Sequence, residues 1–198
     1  MRLRVPLSCK RFMTVLSVYA PTLVSSQESI MAFYQDLRAA IISIPKEDKI
    51  LLLGDFNARV GRAHHVWDAL GQHGLGNMNS NGLNLLQLCT EFGLVVCNTF
   101  FPQKDIHKVT WIHPRSKHGH ILDYIITRRR DLQDVCTVRV MRGAECGTDH
   151  MLVRAKMKIR IKRKVRENAV KVPKPINVFK RQKPEMRENL SKAFDDIE

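Results

Sequence analysis

An α/β (α+β) layered domain is what this sequence predicts, on three observations. Apolar, strand-sized segments alternate with two stretches of helical periodicity between residues 12 and 161. Hydrophobic residues make up 44% of the 198, enough for a core and too many for wholesale disorder. The length fits one domain, or one domain with a tail, at roughly 100–200 residues per domain.

Residues 12–20 (FMTVLSVYA) are rich in β-branched and aromatic side chains and form the first predicted strand. Ser25-Ser26-Gln27-Glu28 follows, a Ser-x-x-Glu capping box that satisfies free N–H groups at a helix start. Ile30, Phe33, Leu37, Ile41 and Ile44 then recur at helical spacing until Pro45 stops the pattern. Residues 50–53 are a short, wholly apolar strand ended by Gly54, and the glycine-rich stretch 62–81 reads as a surface loop. Ser80 or Asn81 caps a second helix through Leu85, Leu88, Cys89 and Phe92, closed by Gly93. Four further strands are expected at 94–98, 109–113, 121–127 and 135–141. The last strand, 151–161, alternates: Met151, Val153, Ala155, Met157, Ile159 and Ile161 share one face, and Arg154, Lys156, Lys158, Arg160 and Lys162 the other. Beyond it, Pro173, Pro175, Pro184 and dense charge predict an extended segment with a short helix near 188–194. The expected organisation is a domain over residues 1–162 and a basic linker or tail over 163–198.

The charge narrows the class of partner. Lys and Arg number 33 against 19 Asp and Glu, a formal net charge of +14. Residues 154–198 hold 15 of those cations and 6 of the acids, so this stretch carries most of the excess. Such a stretch attracts polyanions by releasing their condensed counterions; a solvated tail without a specific partner is the other reading. No segment approaches the ~20 apolar residues of a membrane span, and the N-terminus lacks the apolar stretch of a secretory signal. The five cysteines are widely spaced with no C-x-x-C pair, which predicts reduced thiols and no zinc finger.

Two constellations carry chemistry. Gly54-Asp55-Phe56-Asn57-Ala58 leaves the 50–53 strand, and two-residue spacing on extended chain puts Asp55 and Asn57 on one face with Phe56 anchored in the core. Together they can hold a metal-bound water and a phosphoryl oxygen, although Gly, Asp and Asn are also ordinary turn residues. Gly147-Thr148-Asp149-His150 precedes the last strand. His150 suits a general base if a carboxylate orients its second nitrogen. Neighbouring Asp149 diverges on extended backbone, so Asp123, a lone acid within an apolar strand, is the candidate orienter; a structural salt bridge is its alternative. Acidic and amide oxygens with one imidazole favour Mg2+ or Mn2+ over zinc. A divalent ion, a histidine base and a basic surface converge on phosphodiester hydrolysis.

These motifs carry a resemblance. Ser17-Val18-Tyr19-Ala20-Pro21-Thr22, Gly54-Asp55-Phe56-Asn57-Ala58, Thr110-Trp111, Leu122-Asp123-Tyr124-Ile125 and Thr148-Asp149-His150 follow the order found in the endonuclease/exonuclease/phosphatase family. The variety is most similar to the endonuclease of non-LTR retrotransposons of the RTE kind, over roughly residues 10–162. The resemblance implies a DNase I-like four-layer α/β sandwich of two facing mixed sheets. It also implies catalytic roles for Tyr19 at the scissile phosphate, Asp55 at the attacking water, Asn57 at the phosphate, Asp123 as orienter and His150 as base or phosphate contact. Asp149 and Asp55 are the implied metal acids. Trp111 packs under the site or flanks the nucleic acid, with Arg154, Lys156 and Lys158 as nucleic-acid contacts. DNA is the implied partner, with RNA open as a second polyanion, no membrane and no obligate oligomer.

One departure qualifies the expectation. Family members carry, upstream of the S-x-Y-A-P element, a strand with an early Asn and then a Glu that ligates the metal. The 18 residues before Tyr19 contain no Asn, Asp or Glu. The expectation is therefore a nuclease fold whose first portion is missing and whose activity is impaired. A non-catalytic nucleic-acid or chromatin binder is the alternative, and a phosphoinositide phosphatase is a third reading without an inositol-binding loop to support it. The basic cluster at 162–166 suggests a nuclear address, with the cytoplasm as the alternative.

Overall fold

A hairpin of β1 (Arg2–Pro6) and β2 (Phe12–Tyr19) opens the chain in the computed structural model, which describes residues 1–144 and 147–162. The expected extended tail and the helix near 188–194 lie outside the described residues. β1 carries no apolar periodicity that would predict it. It is an edge strand held by Arg4, whose guanidinium lies 3.8 Å from the centre of the Phe12 ring and makes a two-pronged ion pair, at 2.7 and 3.0 Å, with buried Asp48.

After β2 the chain crosses through α1 (Gln27–Ile42) into β3 (Lys49–Asp55), which pairs parallel with β2. The helix cap is Ser26 rather than Ser25: Ser25 N–H is taken by Thr22 O in a preceding turn, and Ser26 Oγ accepts from Ser29 N. α2 (Ser80–Glu91) is likewise capped one residue earlier than expected, by Asn79, whose Oδ1 accepts from both Arg59 N and Gly82 N. Its expected cap residue Asn81 is instead buried inside the first turn. The 62–79 stretch is a loop, but not a surface one throughout. Ala69 and Leu70 are buried, and Ala69 O and Gly71 N bond to Val96 N and Thr99 Oγ1.

β4 (Leu94–Val96) is shorter than expected because Cys97–Thr99 turn into a 3-10 helix, with Thr99 Oγ1 donating to Val96 O. β5 (Trp111–Ile112) and β6 (Gly119–His120) make a small hairpin, and β7 (Asp123–Arg128) returns to the main sheet. β8 (Val135–Met141) and β9 (Leu152–Met157) form a separate antiparallel pair. The main sheet has the order β1-β2-β3-β7-β4, with every pair antiparallel except β2 and β3.

The unbroken apolar run of β3 reflects burial on both faces. On one face Ile50 and Leu52 join Leu16, Leu37, Leu85 and Ile126 under the two helices. On the other, Leu51 and Leu53 meet Val138 of β8 and Val153, Ala155 and Met157 of β9. The described residues thus build three layers: helices, five-stranded sheet and β8–β9 pair. Of the second sheet in the expected sandwich, these two strands are what the described residues provide. No helix among the described residues is long and apolar enough to cross a membrane.

Candidate active site

Three side chains line up across one end of the main sheet. Asp55, the last residue of β3, is paired with Tyr19 at the end of β2 and with Asp123 at the start of β7. Directly opposed residues on neighbouring strands point to the same face. Here that face is the one on which β8 and β9 pack. The strand runs past Gly54 instead of ending there, and the alignment depends on that glycine. Its φ is 147°, and a Cβ would sit 1.8 Å from Val18 O, so any other residue would push β3 off β2.

His150 enters from the other sheet, just before β9. Its Nδ1 lies 2.8 Å from Asp123 Oδ2 and its Nε2 3.9 Å from Asp55 Oδ2. Asp123, at Nδ1, acts as an ion-pair partner and holds the ring's orientation. Burial alone would depress the imidazole's pKa, but the Asp123 hydrogen bond and the charges of Asp123, Asp55 and Asp149 outweigh it, leaving His150 above its ordinary value. Asp55 is also raised. Burial is the main cause and the Asp123 and Asp149 charges add to it, against the opposing Asn57 N–H and His150.

Asn57 does not continue the strand. It adopts left-handed backbone, φ 45°, with its N–H donated to Asp55 Oδ1 at 2.8 Å and its Nδ2 donated to Ala20 O at 2.8 Å. Asp55 and Asn57 are therefore brought together by a tight side-chain turn, not by the shared face of an extended strand. Phe56 between them is fully buried. Tyr19 is 74% exposed at the rim.

Asp149 stands outside the central group. Its Oδ2 accepts the Trp111 indole N–H at 2.8 Å, which holds its carboxyl below the usual range. Trp111 in turn stacks on His120, 6.0 Å between ring centres, and lies tilted against His150 at 6.4 Å. It packs beside the histidine as part of the site wall. Arg154, Lys156 and Lys158 are exposed, on the side of β9 opposite its core-facing residues and at increasing distance from His150.

Asp55, Asp123 and His150 could hold a metal ion, since one ligand atom from each lies within 4.8 Å of the others. The donor chemistry fits a divalent cation. Two carboxylate oxygens beside one imidazole suit a hard ion that keeps water or substrate in its remaining positions, and a cation would offset the burial, and with it the Asp123 charge, that raise Asp55.

Three residues hold these side chains in place in ways the motifs do not reveal, Thr110 of the Thr110-Trp111 motif among them. Thr110 Oγ1, fully buried, accepts from the backbone N–H groups of both Leu122 and Asp123. Asn98 brackets the same strand, donating to Asp123 O and accepting from Ile125 N. Asn81 donates to Pro21 O and Asn57 O, tying the ends of the β2 and β3 turns. The available signal was polar residues within apolar surroundings, which burial obliges to find partners.

Fold and strand order together place the chain among the DNase I-like α/β folds of the endonuclease/exonuclease/phosphatase kind. The solved structures of the Xenopus laevis APE2 catalytic domain (TM-score 0.54, 19% identity, 81% of this chain and 55% of that one) and of the endonuclease domain of TRAS1, a telomere-specific non-LTR retrotransposon (0.53, 15%, 83% and 64%), share this fold. The family model described as endonuclease-reverse transcriptase matches residues 13–154, and the chain belongs to that family. It is 36% identical over 150 residues to craniofacial development protein 2 of Bos taurus, covering 76% of this chain and 25% of that protein. The chain thus spans about a quarter of the relative's length.

Proposed function

We propose that the site hydrolyses phosphodiester bonds in DNA with a divalent ion, Mg2+ or Mn2+, as cofactor. The carrying observation is the grouping of His150, from the segment before β9, with Asp55 and Asp123 at the paired ends of β3 and β7. A bound ion supplies charge to stabilise the phosphate as it gains negative character. Asp123 fixes the imidazole so that Nε2 is turned toward Asp55, where His150 exchanges a proton with the reacting water or phosphate. Asp55 orients that water. Asn57 and Tyr19, on the same rim, contact the phosphate oxygens and hold the backbone in place. Membership of the endonuclease-reverse transcriptase family supports a nuclease among the activities this fold class hosts.

The test is incubation of the full chain with end-labelled duplex DNA, intact or carrying one abasic site, in Mg2+, in Mn2+ and in excess chelator. The proposal expects strand cleavage that requires the ion. Uncleaved DNA from a folded sample in both ions overturns it.

A second reading, a binder that does not cleave, has one observation in its favour. Asp149 is engaged by Trp111, which leaves three protein donors in the central group. It predicts stable DNA complexes with Mg2+ present and no nicked product.

A further inference from the structure

The outer face of the β8–β9 pair carries cations that no acid answers. Cross-strand pairing sets Arg139 directly opposite Arg154 and Thr137 opposite Lys156. Opposed side chains share a face, and like charges so placed repel. Lys158 and Arg160 continue the alternation beyond the strand, so the row from Arg154 to Arg160 extends about 20 Å at ~3.3 Å per residue. Among the described residues none of these five cations forms an ion pair with an acid. Arg4, Lys49 and Arg130, on the main sheet's flank, differ in that each has a carboxylate partner.

The face also has relief. The 102–107 segment is tied to it by Gln103 Nε2 donating to Thr137 Oγ1 at 3.3 Å and by Arg139 Nη2 donating to His107 Nε2 at 2.9 Å. Between segment and strand lies a groove of about 700 Å³, lined by His73, Pro102, Gln103, Lys104, His107 and Arg139, with no acid among them. The face points away from the core that β9 shares with the main sheet, and its nearest row residue, Arg154, is four residues, or ~13 Å of extended chain, from His150.

We propose that this face is a second phosphate-binding track, which grips the backbone of nucleic acid without regard to sequence and takes no part in bond cleavage. Arg139 and Arg154, side by side, share a phosphate that removes their mutual repulsion. Lys156, Lys158 and Arg160 meet successive phosphates along the row, and Lys104 adds a contact from the groove. The track holds the nucleic acid whether or not the Asp55–Asp123–His150 group cleaves it, so its failure is separable from failure of the proposed nuclease activity.

The test uses the full chain and a fluorescein-labelled random-sequence duplex in chelator, with anisotropy read over a range of salt concentrations. Each phosphate contact contributes roughly 0.9 to the slope of log affinity against log salt. Arg154→Gln/Lys156→Gln/Lys158→Gln, three substitutions at exposed positions, should lower that slope by about 2–3 and weaken binding about 10- to 100-fold near 0.1 M salt. A second variant, Lys104→Gln/Arg139→Gln, should lower it further by about 1–2. Unaltered slope and affinity in both multiple variants would overturn the track. So would a loss confined to anionic phospholipid vesicles, with duplex binding intact, because it would assign the face to a membrane surface.

Discussion

Asp55 and Asp123 face each other directly across the β3–β7 ladder, and His150 reaches both, at 3.9 Å and 2.8 Å. Two carboxylates set side by side in a half-buried position oppose folding unless a cation or proton joins them. The fold nevertheless fixes them there from several sides: Gly54 lets β3 lie against β2, and Thr110 and Asn98 hold the backbone of Asp123. Stability is given up locally for a site that attracts positive charge.

Asp55→Asn should therefore stabilise the protein in the absence of divalent ions. The folded-state pKa of Asp55 lies above its unfolded value, so ionising the group costs folding energy at neutral pH. That cost fades as the pH falls through the folded pKa and is gone below the unfolded value near 4. A rise in Tm at pH 7 is expected in chelator and should shrink toward pH 4. Calorimetry across that range checks it.

His150 behaves in the opposite sense. Its folded pKa is raised, so its pairing with Asp123 adds stability that is complete below the unfolded pKa near 6.5 and is lost as pH rises through the folded pKa. Asp123→Asn should lower the His150 pKa, read from the imidazole proton shifts by NMR. It should also destabilise the protein more at pH 6 than at pH 9.

A divalent ion should reverse the cost at Asp55. With Mg2+ or Mn2+ at about 100 times its dissociation constant, binding to the folded state adds ~2.7 kcal/mol. Thermal melts should show this gain for the native sequence and lose most of it in Asp55→Asn and Asp123→Asn. Equal gains in all three would place the ion elsewhere.

Thr110→Val should cost roughly 1–3 kcal/mol, because the N–H groups of Leu122 and Asp123 lose their shared acceptor in a buried position. Urea unfolding measures the loss. The displaced Asp123 should also return the His150 pKa toward its ordinary value, an effect that a cavity elsewhere in the core would not produce.

Most of the fold is legible in the residues, and the misses have local physical causes. Alternation in 151–161 identifies β9, although the paired strand ends at Met157, the apolar run at 50–53 identifies a strand buried on two faces, and the helical spacing from Ile30 identifies α1. β1 was hidden because an edge strand with Arg2, Arg4 and Pro6 needs no apolar pattern; its pairing partner β2 supplies the order. The helix caps shifted by one residue because competing Ser and Asn side chains stand next to each other at both helix starts. At the site, Asp123 and His150 are separated by 27 residues, and a lone acid in an apolar strand identifies the first of them. The engagement of Asp149 by Trp111 has no such signal: it depends on how β5 meets the segment before β9, a long-range contact that spacing does not encode.

The most direct test of the Asp55–Asp123–His150 group as a cleavage site is nicking of supercoiled plasmid in Mg2+ by the native chain, His150→Ala and Asp123→Asn. Each variant should first be shown folded by circular dichroism. Relaxed plasmid from the native chain, with a rate reduced at least ~100-fold in both variants, is the predicted result. Nicking that proceeds equally in all three would contradict the assignment and move the chemistry away from this group.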